Sequence, residues 1–86
     1  MDIIKNRIYK HFKGDYYLVL GTAINTDNDE KYVIYRALYN NGQLYVRPYS
    51  EFTSKVDHNK YPTATQEYRF ELQEIESINP TYKKEG

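Results

Sequence analysis

The chain has 86 residues, enough for one domain near the small end of those that fold alone, which bury only about 60% of their unfolded surface and leave little room for a large enclosed cavity. Twelve basic and twelve acidic residues cancel to zero formal net charge, which argues against general nucleic-acid binding, since that needs a basic face, but leaves room for a small basic pocket. With no cysteine, a disulfide framework, a thiol nucleophile and a cysteine zinc site are all excluded.

The first residues, Met-Asp-Ile-Ile-Lys, form neither a signal peptide nor a membrane span, and no apolar run approaches ~18 residues. The expected compartment is therefore the cytoplasm. Arg7 to Phe12 alternates enough to predict a first strand with Ile8 and Phe12 on one side, and Lys13-Gly14-Asp15 supplies a tight turn. Tyr16 to Asn25 predicts a second strand, in which Gly21 marks a bend or a close backbone approach. Asp27, Asn28, Asp29 and Glu30 are rich in oxygen donors, but they lack the spacing and the distant glutamate of a calcium loop. A solvated turn is the expectation, with no metal.

Two runs rich in Val, Ile, Leu and Tyr follow, Lys31 to Tyr39 and Leu44 to Tyr49, separated by Asn-Asn-Gly-Gln. Asn41-Gly42 predicts a two-residue type I′ hairpin turn, which needs positive φ at both central residues. That register pairs Tyr39 with Leu44, Leu38 with Tyr45, Ala37 with Val46 and Arg36 with Arg47. It sets two arginines face to face, beside Tyr45 and Tyr49. Opposed like charges with Cβ atoms ~5 Å apart oppose pairing unless something negative lies between them. Glu51, Asp15 or Glu71 would make that an ordinary ion pair; a bound anion would make it a site.

After Pro48, the stretch from Ser50 to Lys55 is long enough for a helical turn, with Ser50 as a cap and Phe52 folding inward as a plug. Residues 57–65 form turn and loop, and His58 there is expected to be solvated. Tyr68, Phe70 and Leu72 alternate with Arg69 and Glu71, which predicts a fifth strand over Glu67 to Gln73. Residues 1–74 thus form one all-β domain, a small antiparallel five-stranded SH3-like barrel or strongly bent sheet. Residues 75–86 are expected to be a flexible tail, in which Ile75 and Ile78 could pack as a short helical turn. Eleven tyrosines, three phenylalanines and no tryptophan imply a core that is partly tyrosine, with hydroxyls reaching the rim.

The ordered string Tyr9-Lys-His11-Phe12-Lys13-Gly14, then Tyr17-Leu-Val19-Leu20-Gly21-Thr-Ala23, Val33-Ile-Tyr35-Arg36-Ala37-Leu38-Tyr39, Leu44-Tyr-Val46-Arg47-Pro48 and Phe52 resembles a family of small bacterial and phage domains of unknown function. The resemblance spans roughly positions 9 to 70, including Arg69-Phe70, and implies a compact β domain with no established activity. Arg36 and Arg47 both fall on matching positions. The chain departs from the family pattern at Tyr45, where tryptophan is usual.

The residues point first to a non-catalytic domain that binds an anionic, nucleotide-like molecule, in the extreme a phage protein that sequesters a host nucleotide signal. Arg36, Arg47, Tyr45, Tyr49, His11 and Lys13 are the candidate ligand-binding residues, because forked guanidiniums suit phosphate or carboxylate and rings can stack on a base. A domain this small could complete such a site as a homo-oligomer. A second reading is a protein-interaction module that takes a peptide in an aromatic groove of Tyr16, Tyr35 and Tyr39. A third is an enzyme using His11 as a base; no nucleophile elbow, glycine-rich phosphate loop or paired-carboxylate pattern accompanies it, so no catalytic residue and no cofactor are assigned.

Overall fold

A computed structural model describes residues 2–75. The tail expected over residues 75–86 lies outside the described residues apart from Ile75, and so does Ile78. The elements in chain order are β1 (Ile8–His11), β2 (Tyr16–Asn25), β3 (Glu30–Ala37), β4 (Leu44–Pro48), α1 (Tyr49–Phe52) and β5 (Phe70–Leu72). They form one sheet in the order β4-β3-β2-β1-β5, antiparallel throughout.

The sheet stays open. The four strands β1 to β4 follow one another as a meander, and β5 returns to the free side of β1, so β4 and β5 are the two edges. Of the two shapes expected from the sequence, a bent sheet and not a closed barrel is the outcome. The connection between the two edge strands, residues 49–69, crosses one face of the sheet, where Phe52 packs against Tyr9, Tyr35 and Phe70. That segment is closed on itself by the bridge between Lys55 and Tyr68 and tied to β1 by Gln66, whose Nε2 donates to the Lys10 carbonyl at 3.0 Å and to the Tyr68 carbonyl at 3.2 Å.

Alternation decides which side chains the crossing segment covers. Tyr9, Val19, Val33, Tyr35 and Phe70 point to the covered face and are buried there with Phe52. Phe52 is the plug the sequence predicted. Its ring stacks on Phe70 at 4.0 Å and 3° and meets Tyr9 and Tyr35 edge to face at 5.7 and 5.3 Å. Ser50 does not cap the helix: Pro48 occupies the cap position without a side-chain bond. The turn is held from its other end, where Thr53 Oγ1 donates to the Tyr49 carbonyl at 2.8 Å. The core is indeed partly tyrosine with hydroxyls at polar partners, because burying a phenol without one is costly. Tyr9 Oη accepts from the Ile4 amide at 3.0 Å.

Gly21 marks a β-bulge, where the β2–β3 register shifts between Val19 and Gly21. The β2–β3 turn uses its oxygens on itself: Asn25 Oδ1 accepts from the Asp27 amide and Asn28 Oδ1 from the Glu30 amide, both at 2.9 Å.

The β3–β4 hairpin departs from the expected register. Arg36 is opposite Leu44, Tyr35 opposite Tyr45, and Arg47 opposite Val33. The connection is a longer loop over residues 38–43, closed by the Ala37 amide on the Gln43 carbonyl at 2.9 Å. Positive φ falls at Asn40 (51°) and Gly42 (67°), not at Asn41. The pairing moves by an odd number of residues, so Arg36 and Arg47 go to opposite faces of the sheet.

Candidate functional site

On the covered face, Arg47 projects over the core. Its Nε donates to the hydroxyl of buried Tyr35 at 3.2 Å, and its guanidinium carbon lies 5.9 Å from the Phe70 ring centroid. Glu51, one turn along, approaches Nη1 at 3.7 Å with both side chains partly exposed. Such a pair contributes only ~0 to 1 kcal/mol. Of the carboxylates expected to neutralise the arginines, Glu51 is the one that does so; Glu71 instead accepts from the Glu67 and Tyr68 amides at 3.0 and 3.1 Å.

His11 stands beside Arg47 on the same floor. It ends β1 opposite Phe70, with its ring edge-on to Phe70 at 4.9 Å and tilted over Phe12 at 4.6 Å. The tight turn the sequence predicted after it, with Gly14 at positive φ (113°), folds the Lys13 amide back onto His11 Nδ1 at 3.1 Å. That nitrogen accepts, so the neutral ring carries its proton on Nε2. Burial first, and then the charges of Arg47, Arg69 and Lys13, lower the His11 pKa to about 4 against the opposing pull of Asp15. Both burial and the neighbouring cations disfavour the imidazolium.

Arg69 is the member of this group that sequence reasoning missed. The alternating pattern placed it on the polar side of the fifth strand, but that strand is short and begins at Phe70. Arg69 therefore belongs to the crossing segment, where its Nε donates to Ser54 Oγ at 3.2 Å. No carboxylate lies within 4 Å of its guanidinium among the described residues. The amide of Phe12 on the Arg69 carbonyl, at 2.9 Å, fastens it beside β1.

An aromatic wall adjoins the cations. Tyr45 lies 5.8 Å from Tyr35 and 6.4 Å from Tyr17 between ring centroids, and 41% of it is exposed. The Tyr17 and Tyr39 hydroxyls share a 2.7 Å hydrogen bond. Burial, and then that bond, push the Tyr17 hydroxyl well above the usual phenol range, which keeps it protonated.

The structure thus brings together His11, Lys13, Arg47 and Tyr45 from the sequence-based set and adds Arg69. It leaves out two. Arg36 is exposed on the opposite face, where Nη1 donates to the Gly42 carbonyl of its own loop at 2.9 Å. Tyr49 starts α1, with Lys31 Nζ 4.6 Å from its ring centroid. The expected peptide groove is not assembled: Tyr35 is buried, and Tyr16, adjacent in β2 to the inward Tyr17, faces the other side. His58 is exposed as expected, its Nε2 3.1 Å from the Gln66 carbonyl. Among the described residues no helix is long and apolar enough to cross a membrane.

Fold and site together define a small open-sheet β domain with one ring-lined, positively charged face. The model of the family described as protein of unknown function, DUF1653, matches residues 7–72, and the chain belongs to that family. It is also similar to a crystal structure of a DUF1653 protein from Bordetella bronchiseptica, with 28% identity, a TM-score of 0.67, and coverage of 86% of this chain and 92% of that one. No curated protein matches the chain.

Proposed function

We propose that this domain binds a small anionic, nucleotide-like ligand on the covered face without transforming it. The observation that carries the reading is the meeting of His11 and Arg47 at Phe70, with Arg69 near enough to depress His11 and with no carboxylate on its guanidinium among the described residues. Forked N–H donors match phosphate or carboxylate oxygens, and His11 Nε2–H adds one more. Tyr45 and Tyr17 offer ring surface to a base. Binding without turnover fits a site in which no side-chain nucleophile is hydrogen-bonded to His11 among the described residues. Sequestration or sensing of a nucleotide is the role such a site serves.

The test is a thermal-shift screen against nucleotides, cyclic nucleotides, inorganic phosphate and sulfate. A ligand at a hundred times its Kd stabilises the folded state by ~2.7 kcal/mol, a rise of roughly 10 °C or more in a domain this size. The reading requires a compound that raises the melting temperature of the wild type and of Arg36→Ala but not of Arg47→Ala/Arg69→Ala. It fails if no compound does so.

A further inference from the structure

The crossing segment leaves two clefts, of about 290 and 280 Å³, that share the Phe12–Tyr61 ring pair as a wall. These rings meet edge to face at 4.9 Å and 62°. Lys13 borders one cleft; Lys55, Lys60 and Arg69 border the other. Lys13 Nζ and Lys60 Nζ lie 5.3 and 5.4 Å from the centroid of the same Tyr61 ring. Neither ammonium has a carboxylate within 4 Å among the described residues. Lys55 has only Glu67 at 3.5 Å, with both side chains well exposed. The acid on the lining is Asp57, and its Oδ1 is already committed to the Asn59 and Lys60 amides at 3.0 and 3.3 Å. In a chain of zero formal charge, four cations gather here against two carboxylates, Asp57 on the lining and Glu67 on Lys55. An excess of like charges held together focuses positive potential on the space between them.

We propose that this double cleft is a phosphate-monoester site, in which Lys55, Lys60 and Arg69 hold the phosphate and the Phe12–Tyr61 wall receives the ring of its ester. Flexible lysine stems can converge on a compact dianion, while the Arg69 fork supplies direction. A space just under the ~300 Å³ at which ligand pockets begin suits a nucleoside monophosphate better than a dinucleotide. Arg69 also belongs to the His11 group, but the double cleft is lined by none of His11, Arg47 and Tyr45, so the inference goes beyond the reading above and its test turns on residues that reading does not use.

Calorimetric titration with AMP, adenosine and inorganic phosphate separates the sources of the chemistry. AMP should bind, adenosine at least tenfold more weakly, and Lys55→Ala/Lys60→Ala should weaken AMP at least tenfold while melting as the wild type does. Phosphate that binds as tightly as AMP overturns the ester site and assigns the cations to the free ion. Adenosine binding as well as AMP, no AMP binding at millimolar concentration, or an unchanged AMP affinity in the double variant each overturns it. If Arg47→Ala abolishes AMP binding and Lys55→Ala/Lys60→Ala does not, this inference falls and the earlier reading stands. If the lysines matter and Arg47 does not, the reverse holds.

Discussion

The two faces of the sheet are built from the same strands and have become different materials. The covered face is aromatic and largely buried: Phe52, Phe70, Tyr9 and Tyr35 form a ring-on-ring core, and charge meets it at the rim around His11 and Arg47. The open face is aliphatic and wet, with Val46 63% and Leu44 46% exposed beside Ile34. Arg36 and Arg47 show the difference within one hairpin. Arg47 spends a donor on a buried phenol, and Arg36 spends one on a loop carbonyl at the surface. Stability and candidate chemistry both reside on the covered side.

Phe52→Ala against Val46→Ala is the strongest way to break this contrast. Removing a fully buried ring costs ~3–5 kcal/mol through lost transfer energy and a residual cavity. Truncating a mostly exposed valine stays within ~0.5 kcal/mol. Urea unfolding of both variants checks the ranking; similar midpoints would mean that the crossing segment does not cover the face described.

Acid tests the same face through His11. An unfolded histidine takes a proton near pH 6.5, whereas the folded ring resists until about 4. Between those values the unfolded state binds more protons, so stability is complete above pH 6.5 and is lost as pH falls toward 4. The group is half-open to solvent, which screens the effect to on the order of 1–2 kcal/mol. His11→Gln should flatten that part of the stability curve relative to the wild type. Bound phosphate should move the His11 NMR titration upward, since a nearby anion favours imidazolium.

Much of this arrangement was legible in the sequence. Tyr16 to Asn25 reads as a strand over its observed length, Gly21 marks the bulge, and Phe52 is the one large apolar residue in a stretch too short for anything but a plug. What stayed hidden depended on geometry that local chemistry leaves degenerate. Asn40 takes positive φ as readily as Asn41, so the choice between a two-residue turn and a longer loop is made by packing on the covered face. There Tyr35 opposite Tyr45 gives a ring contact that the expected register would have lost. Arg69 was invisible as a site residue for a different reason. Its partners, His11 and Ser54, come from distant segments, and no spacing rule connects them.

Ligand binding sharpens the contrast between the two arginines. Arg47→Ala should weaken any nucleotide that stabilises the wild type by tenfold or more, and Arg36→Ala by less than twofold. Equal losses, read by titration, would restore the shared face that the two-residue turn implied.

The smallest expected effect discriminates the loop itself. Left-handed backbone costs a residue with a Cβ roughly 1–2 kcal/mol, a cost that asparagine partly escapes by local hydrogen bonding. With φ of 51° at Asn40, Asn40→Ala should destabilise by about 1 kcal/mol, and Asn41→Ala, whose backbone is not left-handed, by far less. A type I′ turn at Asn41-Gly42 predicts the opposite order, because there Asn41 would carry the positive φ. Two alanine variants and their denaturant midpoints therefore decide the register, and with it which arginine faces the rings.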